Sequence, residues 1–128
     1  MRVMVIVKAN EDTEKGTPPT AEAMAAMHQY GEDVAAAGIV LVDGAGLMNS
    51  SHGKRFVFDG TKCTVVDGPF AESRELVAGY SIWEVKTMDE AVAWAKRWPN
   101  PAGMHSEIEL RPLFEWHPEE DTFAEKII

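Results

Sequence analysis

Hydrophobic residues along this chain recur at two periods, and the switches between them mark out its elements. From Met1 to Lys8, Val3, Val5 and Val7 fall on one side and Met4 and Ile6 on the other, which predicts a strand covered on both faces. Asn10 to Pro19 is polar. It ends in Thr17-Pro18-Pro19-Thr20, where a threonine cap and prolines can start a helix but not continue a strand. That helix is predicted to run to about Ala37. Met24, Met27, Gly31, Val34, Ala35 and Gly38 recur at helical spacing, Glu22, Gln29, Glu32 and Asp33 fall mainly elsewhere, and Gly38 supplies the stop.

Ile39-Val40-Leu41-Val42 is short, apolar and β-branched, and predicts a strand leading into Asp43-Gly44-Ala45-Gly46-Leu47. A phosphate loop should open a helix, whereas Met48 to Gly53 reads as loop, so Gly44-x-Gly46 is taken as a bend or bulge. Lys54 to Phe58 and Thr61 to Val66 flank Asp59-Gly60, the expected hairpin turn. With Phe58 opposite Thr61, Phe56 faces Cys63 and shares a side with Val65, while Arg55, Lys62 and Thr64 take the other. Asp67 then continues the Phe56, Cys63 and Val65 side, at the end of an apolar face where partial desolvation would suit it to proton transfer.

Gly79 to Val85 is again apolar on both faces. Thr87-Met88-Asp89-Glu90 reads as a capping box for a second helix, with Ala91, Trp94, Ala95 and Trp98 along one stripe and Pro99 at its end. Ser106 to Arg111 alternates as a half-exposed or edge strand should. The result is one domain over residues 1–113 with an acidic C-terminal arm over 114–128. Its order is that of an α+β, ferredoxin-like βαββαβ fold with an inserted β-hairpin. Two helices cover one face of such a sheet, so the second apolar face is expected to pack on another copy in a homodimer.

Composition narrows the function. A net charge of −9 argues against a nucleic-acid surface, which needs clustered Lys and Arg. No apolar run approaches the roughly 20 residues of a membrane span, so no membrane association and a cytoplasmic location are expected. Cys63 is the single cysteine, expected as a buried structural thiol. His28, His52, His105 and His117 share no ligand spacing, so no metal site or other cofactor is expected.

Chemistry concentrates between Val65 and Tyr80. An apolar strand reaches Asp67, Gly68-Pro69 interrupts it, and charged residues crowd the next positions before Gly79 opens another strand. Asp67-Gly68-Pro69-Phe70, with Glu72, Arg74, Glu75, Gly79-Tyr80 and the closing Arg111-Pro112, resembles the signature of the YCII-related (DGPF-domain) family. The resemblance implies a dimeric α+β barrel. Shorter YCII members carry a histidine and aspartate pair in a cleft, and some relatives act on small aromatic or lactone-like compounds. Asp67 matches the aspartate; His28, or with a different gap Met27, falls near the histidine. DGPF members also resemble partners of extracytoplasmic-function sigma factors.

The expectation is therefore a cofactor-independent isomerase or lyase acting on a small molecule, with Asp67 as acid/base, His28 as its partner, and Phe70, Glu72, Arg74 and Tyr80 contacting substrate. The alternative is a metabolite-binding or regulatory module associated with such a sigma factor. Plainer roles stand beside these: Asp67 as a turn-former, Phe70 as a loop anchor, Glu72 to Glu75 as a solvated turn and Tyr80 as core.

Overall fold

Residues 1–72, 75–100 and 105–115 are described by the computed structural model. Strand β1 (Arg2–Lys8) lies centrally, because its neighbours on both sides are supplied late in the chain: β5 (Val77–Glu84) and β6 (Ile108–Pro112). With β2 (Val40–Gly46) they form a four-stranded sheet in the order β2-β5-β1-β6, every neighbouring pair antiparallel. Strands β3 (Lys54–Asp59) and β4 (Lys62–Asp67) form a separate hairpin. The chain is thus a mixed α+β domain with antiparallel sheets.

The helices start where their caps predict. Thr20 accepts from the Ala23 N–H ahead of α2 (Ala21–Ala36), and Gly38, at φ +88°, follows its end. Thr87 accepts from the Glu90 N–H at the head of α3 (Met88–Ala95), while the Glu90 carboxylate turns back to the Lys86 N–H. The polar stretch before α2 also holds a one-turn helix, α1 (Glu11–Glu14). Asn10 and Thr13 cap it reciprocally, a short-range signal that apolar periodicity does not carry.

Register explains which residues meet the helices. Val3 pairs with Trp83, and Val5 with Ser81 and Leu110, which puts these side chains on one face. There Val3, Val5, Trp83 and Val85 form the core with Tyr30 and Val34 of α2, Ile39 and Ala91 of α3. Tyr30 is its hub, with ring centroids 6.4, 6.1 and 5.4 Å from those of Trp83, Trp94 and Trp98. Met4, Ile6, Tyr80 and Ile82 project from the opposite face and stay half-exposed.

Two expectations are corrected by the hairpin. Its closing pair is Asp59 and Lys62, so the turn is Gly60-Thr61, and Phe58 faces Cys63 while Phe56 faces Val65. Gly60 has φ +61° and Thr61 does not share the positive sign, as when glycine leads a II′ turn. That demand moves the turn one residue along the chain. The register therefore slips by two, which changes the partners but preserves the faces. Cys63 is exposed, not buried, because among the described residues nothing covers the hairpin face that carries it. Strand β2 also outruns its predicted end: it bulges between Leu41 and Asp43 and continues through both glycines to Gly46.

Candidate functional site

A cavity of about 720 Å³ opens between α2 and the β2–β5 side of the sheet. It exists because side chains are missing on both walls. Across the sheet, Gly44 lies opposite Ser81 and Gly46 opposite Gly79; on the helix, Gly31 and Ala35 face them. A Cβ on Gly31 or Gly46 would meet no atom within 4 Å, so both glycines border open space. Met27, Tyr30, Val34, Leu41, Trp83 and Trp98 complete a largely apolar lining.

Ser81 is the polar exception. Its register partner Val5 is buried in the core, so Ser81 shares the helix-facing side, and its hydroxyl has no hydrogen-bond partner among the described residues. Tyr30 is not available in the same way. Its hydroxyl donates to the Trp94 carbonyl, and burial pushes its pKa up to about 12 although Arg97 acts in the opposite direction.

The sequence-predicted site residues are dispersed. His28 lies exposed on α2, 3.0 Å from Glu32 one turn on. Asp67 ends β4, exposed, and forms an ion pair with Lys54 on the neighbouring strand. Among the described residues, neither is joined to the other by a hydrogen bond or ion pair. Glu72 is exposed, its carbonyl accepting from the Glu75 N–H, and Arg74 lies outside the described residues, as does the acidic arm from Trp116 onward. Tyr80 borders the cavity through its strand, but register turns its ring to the opposite face. There its hydroxyl donates to Asp43 Oδ2 at 3.2 Å, and the Asp43 charge, aided by that bond, raises the Tyr80 pKa.

The Asp67-Gly68-Pro69-Phe70 turn is a structural corner. Its Gly68 N–H donates to the Gly53 carbonyl at 3.0 Å and its Phe70 N–H to Ser50 Oγ at 3.0 Å. Ser50 in turn donates through both its backbone N–H and its hydroxyl to the Glu14 carboxylate, which ties the corner to α1. Phe70 sits half-buried against Gly53 with the Arg55 guanidinium 4.0 Å above its ring. Sequence reading missed the cavity, Ser81 and this Glu14–Ser50–Phe70 chain. The signal for the cavity was a run of small residues on β2, β5 and α2, all meeting on one side.

Among the described residues, no helix is long and apolar enough to cross a membrane. A protein described as "Uncharacterized protein R00369" from Rhizobium meliloti (strain 1021) is 36% identical over 56 residues, a match spanning 44% of this chain and 45% of that relative. That stretch is less than half the length of either protein. The match to the YCII-related domain runs over residues 1–117, through every strand and helix of the sheet, its covering layer and the hairpin, and the chain belongs to the YCII-related domain family.

Proposed function

We propose that the protein binds a small, largely apolar ring compound in the cavity between α2 and the sheet, without a cofactor. The cavity itself carries this reading. Its volume suits a one- or two-ring molecule, its walls are apolar, and the Ser81 hydroxyl, without a partner among the described residues, offers one point of polar recognition. The protein is the metabolite-binding form of a ferredoxin-like βαββαβ domain, working as a homodimer. The sheet order and the helices on a single face support the fold; half-exposed Met4, Ile6, Tyr80 and Ile82 on the other face support a second copy.

An isomerase or lyase using Asp67 and His28 asks for more. Lys54 holds Asp67 in an ion pair, Glu32 lies 3.0 Å from His28, and neither Asp67 nor His28 lines the cavity, so the chemistry would have to be assembled across two copies. The sigma-factor reading comes from the resemblance to DGPF members and would use the same cleft or the acidic arm, of which only Phe114 and Glu115 are among the described residues.

A thermal-shift screen with benzoate, indole and simple lactones tests the binding reading, since a ligand of the folded state raises its apparent stability. The expected result is a shift for wild type that Gly46→Leu abolishes by filling the cavity. An equal shift in Gly46→Leu, or no shift in wild type with any ring compound, overturns it.

A further inference from the structure

The β3–β4 hairpin is apolar on both sides and covered on neither. Phe56, Phe58, Cys63 and Val65 line one face, Val57 and Val66 belong to the other, and every residue of both strands is exposed, Phe58 to 75%. A two-stranded hairpin alone in water is marginal, and this one adds a cost for apolar surface left wet. Strand β2 has the matching defect. Among the described residues it pairs only with β5, leaving one backbone edge open, and Val40, Leu41 and Val42 are all exposed along it.

We infer that the hairpin is a dimerisation arm that docks on the β2 edge of a second copy of this chain. The inference rests on the two-copy reading above and adds a second contact, hairpin to β2 edge, to the sheet face that reading uses. One chain carries both halves of the contact, so a two-fold axis satisfies both at once and closes the assembly. Charge favours the same occupant. With Lys54, Arg55 and Lys62 against Asp59 and Asp67, the hairpin carries +1, leaving −10 on the rest of the chain. A basic arm is therefore drawn to the acidic body of another copy, while the acidic bodies repel without it.

The arm is also held ready. Gly68 packs against the Ser50 carbonyl, and Arg55 lies over Phe70, so the hairpin's base is fixed to the 3₁₀ turn Ser50–His52 before any partner arrives. Its docking would complete the cavity. Leu41 both lines the cavity and is 62% exposed, so the mouth opens beside β2, where the partner's arm would cover it.

Cys63, the single cysteine, sits on the arm and reports on it directly. Its reaction with a thiol reagent is measured across a dilution series alongside sedimentation velocity. In the dimer the reaction should slow about tenfold or more and recover on dilution to monomer, because burial withholds the thiol from reagent. Phe58→Ser should give a monomer with unchanged far-UV circular dichroism and a fast thiol at every concentration. If wild type is monomeric, the two-copy reading and the arm fall together. If wild type is dimeric with a fast thiol, only the arm falls; slow reaction independent of concentration would put the cover within the same chain and overturn the arm as well.

Discussion

Lys54 and Asp67 face each other across the last rung of the β3–β4 ladder, their side chains joined in an ion pair that leaves Asp67 73% exposed. Exposed pairs of this kind contribute little, because water and salt screen them and two side chains must be ordered. Asp67 makes no bond to the amides of the Gly68-Pro69 turn, so it does not hold that turn either. Asp67→Asn should therefore cost less than about 1 kcal/mol in urea denaturation, with the loss shrinking at high salt. A larger, salt-independent loss would mean that Asp67 is buried against another surface in the assembled protein.

Gly68 and Ser50 are the positions where the same corner is intolerant. A Cβ on Gly68 would lie 1.7 Å from the Ser50 carbonyl oxygen and 2.7 Å from its carbon, backbone atoms that cannot move aside cheaply. Gly68→Ala should destabilise by about 3 kcal/mol, at the upper end of what overpacking costs. Ser50→Ala keeps the space but removes the hydroxyl's bonds to Glu14 and Phe70, for about 1–2 kcal/mol. Denaturant midpoints at constant slope would rank Gly68→Ala below Ser50→Ala and both below Asp67→Asn. The residue that looks most chemical in the motif is the one whose loss the fold feels least.

Much of the fold was legible because period and caps agree. Val3, Val5 and Val7 announce a strand, Thr20 and Thr87 announce helix starts, and each is realised within a residue or two. The hairpin's register was less legible, since Asp59-Gly60 and Gly60-Thr61 both offer a glycine to the turn and only the sign of φ at the second position separates them. The cavity was hidden for a different reason. It is made of absent side chains on Gly31, Gly44, Gly46 and Gly79, three elements that sequence gives no reason to superpose. Pairs such as Tyr80 with Asp43 likewise depend on antiparallel register across 37 residues.

The two tyrosines of the chain should titrate apart from the ordinary value for distinct reasons. Tyr80 is raised by the charge of Asp43, so Asp43→Asn should return its phenolate transition toward 10.0; Tyr30 is raised by burial to about 12 and should not respond. Absorbance of the phenolate band resolves them, with Tyr80→Phe leaving the Tyr30 transition alone. For Tyr30 the folded value exceeds the unfolded one, so the associated stability is fully present below pH 10.0 and is lost as pH rises toward 12. Within that window the Tyr30 contribution falls by at most about 1.4 kcal/mol per pH unit, and Tyr30→Phe should flatten it. A stability curve with the same alkaline slope in wild type and Tyr30→Phe would refute the assignment.

Gly31 lies mid-way along α2 with ordinary helical φ, yet a Cβ there would touch nothing. Two consequences follow from the same empty space, and they separate stability from binding. Glycine costs a helix interior about 1 kcal/mol relative to alanine, so Gly31→Ala should raise stability by about that amount, with no strain to offset it. Gly31→Leu places a branched side chain into the cavity and should keep the fold while competing with any ring compound for the volume between Met27 and Ala35. Calorimetry of each variant, with and without a ligand found by screening, would then read a stabilised protein that still binds and a folded protein that does not. If Gly31→Leu binds as tightly as wild type, the space beside Gly31 is not where the ligand sits, whatever the stability of Gly31→Ala.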